Sequence, residues 1–216
     1  MTKEILELLN ERDYWEFGNN ILYEMCAKYP KHDDETVALG KIWLIGRSYS
    51  ASLERVKYDK SKKFYEDIVK SKIEKNSTKI DNAISTLSPA SSLHEIFATY
   101  SMFLDVFNGI TTKNNISFTS KYLHFHCPEL FFIYDSRAKS VINDIFNLCT
   151  ENRGIKKSKM NDFEKFRTPV KEYIRFYLKC QECVSVIEKE TGKKISTRKF
   201  DNLLLAWKAQ HRNINK

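Results

Sequence analysis

No stretch of this chain approaches the ~20 consecutive apolar residues that span a bilayer, so no transmembrane segment and no membrane partner are expected. Glycine and proline are scarce, six and four in 216 residues, and nowhere do they gather into a linker. With no internal repeat and no low-complexity tract either, residues 1–216 are expected to form a single domain. The five cysteines are odd in number and irregularly spaced, which is not a disulfide framework, and reduced thiols in a cytoplasm are expected. Met1-Thr-Lys-Glu leads straight into a charged amphipathic stretch rather than a secretory leader. Several catalytic signatures are also missing. There is no Ser-His-Asp arrangement, no P-loop and no dinucleotide fingerprint. None of Arg47, Arg137 or Arg198 is followed by a histidine at the reach that a helical HEPN-type ribonuclease needs.

What is present is a basic, helical chain. Hydrophobic residues make up 42% and charged residues 30%, the balance of an ordinary globular protein. The net charge of +8 and the pI near 9.1 are not ordinary, and they fit an anionic partner, most simply a phosphate backbone. Apolar residues recur at three- and four-residue spacing in most segments, which predicts an all-α fold. The expected helices cover 3–29, with Tyr14, Phe17, Ile21 and Leu22 inward and a restart at Asp13. Others cover Tyr58–Lys75, Thr78–Leu87, a core helix over Leu93–Phe107, a helix from Asp135 to about Cys149, Phe163–Glu190 and Phe200–Ala209. Asp33 or Asp34 is read as a cap, Asn108-Gly109 as a left-handed stop, Asn152–Lys159 as a surface loop and Thr197 as the last cap.

Two stretches carry chemistry. In Val37–Val56 the apolar Ile42, Trp43 and Ile45 give way abruptly to Gly46, Ser48, Ser50, Ala51 and Ser52. Such small residues let another helix pack closely or leave room for a ligand. In the second case Arg47 and Tyr49 lie at a pocket rim, the one to pair with phosphate and the other to stack on a base.

The second stretch runs from Ile116 to Arg137. Ser117, Thr119 and Ser120 are helix-start residues, Lys121 follows them, and Pro128 stops that helix. Leu130–Tyr134 is short, apolar and aromatic, hence extended and buried. Asp135 caps the next helix, with Ser136 and Arg137 in its first turn. A nucleophilic lysine must be neutral, and burial or a helix N-terminus favours that form.

Phe118-Thr-Ser-Lys121 and Ile133-Tyr-Asp-Ser-Arg137 together resemble the helix-hairpin-helix DNA glycosylase superfamily, the group of endonuclease III and the 8-oxoguanine glycosylases. There a hairpin leads into a helix bearing a nucleophilic lysine, and an apolar run ends in a catalytic aspartate. The likeness covers roughly residues 110–146. It departs from the family in two ways: the Leu-Pro-Gly-Val-Gly hairpin is absent, and Asp135 follows Lys121 more closely than is usual. The resemblance implies two helical lobes, a helix-hairpin-helix-like element at Thr111–Asn115 and a central cleft. It implies a monomeric enzyme that flips a modified or damaged base from double-stranded DNA and cleaves its glycosidic bond, with Lys121 and Asp135 catalytic. Trp43, Tyr49, Tyr122 and Tyr134 would hold the base, and Arg47, Lys113 and Arg137 the phosphates. Whether Lys121 forms a Schiff base or only orients water stays open, as does the choice between repair and defence against viral DNA with hypermodified bases.

No cofactor is expected. His124, His126, Cys127 and the Cys180-Gln-Glu-Cys183 pair are zinc-ligand types, but that CxxC lies in a helical pattern without a knuckle turn. An endonuclease III-type iron–sulfur cluster needs four C-terminal cysteines, and this chain has only that pair. Two other classes remain: a non-catalytic helical DNA-binding protein, and a protein-interaction module without salt-dependent DNA binding.

Overall fold

The computed structural model describes residues 3–10, 15–111, 113–150 and 154–211. Among them every regular element is helical and there is no strand. No helix among them is long and apolar enough to cross a membrane. The chain forms two compact units: a central one, Trp15–Leu130, and a terminal one that combines Met1–Tyr14 with Phe131–Lys216.

The terminal unit begins with α1 (Lys3–Leu8), and the central unit then supplies α2 (Glu16–Lys28) and α3 (Glu35–Ser48). The single helix expected over 3–29 is therefore two, separated by a turn at Leu9–Asn10; the expected restart at Asp13 and the inward Tyr14 lie outside the described residues. Phe17 and Ile21, expected inward, are exposed on α2; Leu22 is buried as expected, together with Asn19 and Cys26. Asp34 caps α3, its side chain accepting from the Val37 amide at 3.0 Å. The chain then turns back on α3, with Ser50 in the left-handed region at φ 52°. Gly46 makes this possible: a Cβ there would lie 3.2 Å from the Ser52 Cα. The run of small residues thus serves close packing of the returning chain.

Tyr58–Lys63, expected helical, is irregular. The Asp59 carboxylate accepts from the Ser61 amide at 3.0 Å, a local bond that competes with helix. Helix starts only at a π-helical segment, Phe64–Val69, which runs into α4 (Lys70–Glu74), and α5 (Ser77–Ser85) follows. The core helix is α6 (Leu93–Asn108). Ser92 and Glu95 form a reciprocal capping box at its start. Ile96, Phe97, Tyr100, Phe103, Leu104 and Phe107 line its buried face, each contributing about 1.5–3 kcal/mol. Gly109 is right-handed, φ −72°, so the expected left-handed stop is absent. Asn115 secures this end of the helix instead. Its side-chain amide donates to the Phe107 carbonyl at 2.9 Å and to Thr111 Oγ1 at 2.7 Å, and its backbone N–H donates to Asn108 Oδ1 at 2.8 Å.

α7 (Ile116–His126) packs on α6, Phe107 meeting Phe118 edge-on at 4.7 Å. Asn115 is its N-cap, so Ser117, Thr119 and Ser120 lie inside the helix rather than before it. Lys121 accordingly sits at mid-helix, not near the start.

In the terminal unit, Phe131–Tyr134 is irregular and buried, while Leu130, the first residue of the run expected to be extended and buried, is buried in a turn. The Tyr173 hydroxyl pins the irregular segment by donating to the Phe132 carbonyl at 3.0 Å. α8 (Ser136–Cys149) follows, then a short α9 (Lys157–Asn161) that starts within the expected surface loop Asn152–Lys159, of which residues 152–153 lie outside the described set. α10 (Thr168–Thr191) begins later than the apolar pattern suggests because Pro169 sits in its first turn, where the missing N–H costs nothing. Gly192 ends it in the left-handed conformation, φ 68°. Ser196, not Thr197, caps α11 (Thr197–Gln210). Lys139 pairs with Glu172, and Asn143 with Lys179. These contacts ascend both sequences together, so α8 and α10 run in the same direction.

Candidate functional site

α7 is buried almost all round, from Ile116 to Phe125 with only Ser117 partly open. A helix with no solvent face must find partners for each polar side chain it carries. Lys121, 1% exposed, donates from Nζ to Ser117 Oγ one turn earlier at 2.6 Å. The same ammonium lies over the Tyr49 ring, 5.9 Å from its centroid. The Tyr49 hydroxyl donates to Asn19 Oδ1 at 2.6 Å, and its ring meets Phe125 edge-on at 5.3 Å. Nearby on α7, His124 Nε2 is 2.5 Å from the Tyr23 hydroxyl. The central unit therefore gathers Asn19, Tyr49, Ser117 and Lys121 into one polar cluster walled by aromatics.

A second polar chain crosses the same unit. Asp81 on α5 takes both the backbone N–H of His32, at 3.2 Å, and its Nδ1, at 2.6 Å. His32 Nε2 reaches the Tyr122 hydroxyl on α7. His126 lies against Tyr122, donating from Nδ1 to its carbonyl at 2.9 Å, and its Nε2 is buried without a hydrogen-bond partner. Lys41, fully buried on α3, donates to the Tyr29 and Lys31 carbonyls, each at 2.9 Å. Burial pushes its ammonium down to about 8. Burial, with the Lys41 charge, also lowers His32 to about 4, against the pull of Asp81. A recess of about 50 Å³ opens beside His32, lined by Asp33, Glu35, Lys70 and Glu74.

In the terminal unit Asp135 is the N-cap of α8. Its Oδ1 accepts from the Arg137 and Ala138 amides, both at 2.9 Å. Tyr134, just before it, is buried, and its hydroxyl donates to Glu172 Oε1 at 2.5 Å. Lys139, one turn into α8, donates to the same oxygen at 2.5 Å. That hydrogen bond raises Lys139 to about 12 and holds the Glu172 carboxyl below its usual range. Lys139 is thus a fixed cation rather than a free amine.

The nine residues singled out from the sequence divide between the units. Trp43, Arg47, Tyr49, Lys113, Lys121 and Tyr122 belong to the central unit; Tyr134, Asp135 and Arg137 belong to the terminal one. Tyr49 and Lys121 meet. Trp43 and Arg47 meet each other on the exposed side of α3, the guanidinium 5.8 Å from the indole and paired with Glu54 at 2.5 Å. Tyr122 turns its hydroxyl to His32 and its ring to Phe103, Phe107 and Phe118. Lys113 and Arg137 are exposed, and Lys113 Nζ donates to the Arg55 carbonyl at 2.8 Å.

Sequence reasoning missed Asn19, His32, Lys41, Asp81 and Glu172. Only Lys41 leaves a local signal: it shares the apolar spacing of Ala38, Ile42 and Ile45. Among the described residues no three His, Cys, Asp or Glu side chains are grouped to hold a metal ion. No family model, no curated protein and no solved structure matches the chain.

Proposed function

We propose that the protein is a DNA N-glycosylase, a divergent member of the helix-hairpin-helix superfamily, acting as a monomer in the cytoplasm. It flips a modified or damaged base from duplex DNA and cleaves its bond to the sugar. The observation that carries this reading is Lys121: a lysine 1% exposed, its amine on a hydroxyl and over an aromatic ring. A surface lysine that only contacts phosphate has no reason to be withdrawn from water, because burying an ammonium is costly. A lysine that attacks carbon does have one.

In this mechanism the glycosidic bond breaks as positive charge builds on the sugar, and the Asp135 carboxylate stabilises that charge. Lys121 then adds to C1′, giving a Schiff base, or else orients the attacking water. Tyr49 lies against the amine and takes one face of the flipped base; Trp43, Tyr122 and Tyr134 are the other aromatic candidates. Arg47, Lys113 and Arg137 hold phosphates, and the Asn115-braced turn Thr111–Asn115 takes the place of the glycine hairpin. The +8 net charge supports an anionic polymer as substrate.

The test is incubation with duplexes carrying ordinary, oxidised, alkylated or glucosylated bases, with released bases identified by mass spectrometry and abasic sites by alkaline strand breakage. Release of any base supports the proposal. Salt-dependent binding of every duplex without release would instead make the chain a DNA-binding protein, and no binding at all a protein-interaction module.

A further inference from the structure

Lys121 is 1% exposed, so a sugar carbon does not reach its amine in the chain as it is folded here. The Tyr49 ring lies over Nζ, 5.9 Å away, and is itself held by Asn19 and Phe125. Tyr49 also begins the irregular return of residues 49–56 along α3. Two features oppose that return. Ser50 takes a left-handed φ of 52°, which its Cβ disfavours. Ser52 Oγ is buried with no hydrogen-bond partner among the described residues, a loss that exposure to water would relieve. The buried Leu53 and three side-chain contacts hold the return in place. Glu54 pairs with Arg47 at 2.5 Å and accepts from the Tyr65 hydroxyl, and the Arg55 carbonyl accepts from Lys113 Nζ at 2.8 Å. We propose that residues 49–56 are a strap that occludes Lys121 until duplex DNA takes Arg47 and Lys113 as phosphate contacts and so releases it, a regulation of the site that rests on the glycosylase reading.

Arg47 and Lys113 are at once fasteners of the strap and the cations assigned to phosphates, so DNA competes with the strap for both. At Arg47 a phosphate oxygen competes with the Glu54 carboxylate for the exposed guanidinium. At Lys113 it competes with a neutral carbonyl, and a charged acceptor makes the stronger hydrogen bond to an ammonium. Duplex DNA therefore binds the open strap better than the closed one, and that difference in affinity is what moves the equilibrium. Opening also lets the Ser50 backbone leave the left-handed region and gives Ser52 Oγ to water. As the strap moves it carries Tyr49 off the Lys121 amine. Without DNA the amine stays shielded from carbonyl compounds in solution, with which a neutral lysine would condense.

The experiment uses the full chain and a short duplex of unmodified DNA. Binding is read by fluorescence anisotropy, and strap opening by amide hydrogen exchange of residues 49–56. The duplex should speed exchange there while the α6 amides stay protected, and raised salt should reverse the change. Tyr65→Phe removes one fastener without altering the charge. Without DNA it should raise acetylation of Lys121 by a brief pulse of an amine-acetylating reagent, by about tenfold. Because coupling is reciprocal, it should also tighten duplex binding. Duplex binding with unchanged exchange in the wild type overturns the strap and leaves the glycosylase reading standing. So does a folded Tyr65→Phe chain whose Lys121 acetylates no faster. Faster exchange on DNA, with no base released from any modified duplex, sustains the strap and removes the glycosylase reading. A chain that binds no duplex overturns both. The wild-type exchange decides the matter even where the variant fails to fold.

Discussion

His32 Nε2 accepts a hydrogen bond from the Tyr122 hydroxyl, and this contact fixes the state of the ring. The Asp81 carboxylate can only accept, so Nδ1 must carry the proton it donates to Oδ1. Nε2 is then the lone pair that takes the Tyr122 proton. A neutral imidazole satisfies both neighbours; an imidazolium offers Tyr122 a second donor where an acceptor is needed.

Stability is therefore expected to fall in mild acid. His32 is lowered in the folded chain to about 4 from 6.5, so below 6.5 the unfolded chain binds the proton first. The stabilisation is complete above pH 6.5 and is lost as pH falls through 4. Its size is on the order of 3 kcal/mol. His126, also lowered by burial, acts in the same direction. Urea unfolding at a series of pH values should show this slope in the wild type and a shallower one in His32→Gln. Equal slopes would mean that other groups take up the acid.

Asp135→Asn should remove base release while leaving DNA binding within a few-fold. Both cap bonds go to a single oxygen, Oδ1, which asparagine retains, so the helix start should weaken by no more than ~0.5 kcal/mol. What disappears is the charge that stabilises the sugar cation. Near-full activity in a folded Asp135→Asn protein would remove Asp135 from the mechanism.

Borohydride trapping separates the two possible roles of Lys121. A Schiff base is captured as a covalent protein–DNA adduct, which Lys121→Ala should eliminate. The adduct should form more readily as pH rises and more of the attacking amine is neutral. An adduct that survives in Lys121→Ala points to another amine, and Lys139 is a poor choice for it because Glu172 holds it as a cation up to about 12.

Changing Lys113 and Arg137 together to alanine should weaken binding to all duplexes alike. Each phosphate contact contributes about 0.9 to the slope of log affinity against log salt, so the slope should flatten by about 2. An unchanged slope would place the DNA on other basic side chains.

Local patterns located much of this fold. Apolar residues at helical spacing over Leu93–Phe107 marked α6, and Asp135 ahead of α8 marked its cap, because caps and stripes are written in neighbouring residues. The misreadings have equally definite causes. α2 offers apolar residues on two faces, and spacing alone does not say that Asn19 rather than Phe17 turns inward to meet Tyr49. Asp59 undid a helix with a two-residue hydrogen bond. Of the candidate site, Lys121 and Asp135 stood out beside their neighbours, whereas the His32–Asp81 pair joins residues 49 positions apart, with nothing in either segment to announce the other.

The parallel course of α8 and α10 has an electrostatic consequence. The Lys139–Glu172 contact lies in the opening turns of both helices, so their N-termini share one end of the terminal unit. Each contributes roughly half a positive elementary charge from its aligned peptide dipoles. An antiparallel pair would cancel much of that field, but this pair adds it. Unlike a histidine or a lysine, the peptide dipole has no proton to lose. The Asp135 carboxylate already occupies the α8 end of that field, its Oδ1 on the Arg137 and Ala138 amides, so the dipoles act first on this built-in anion.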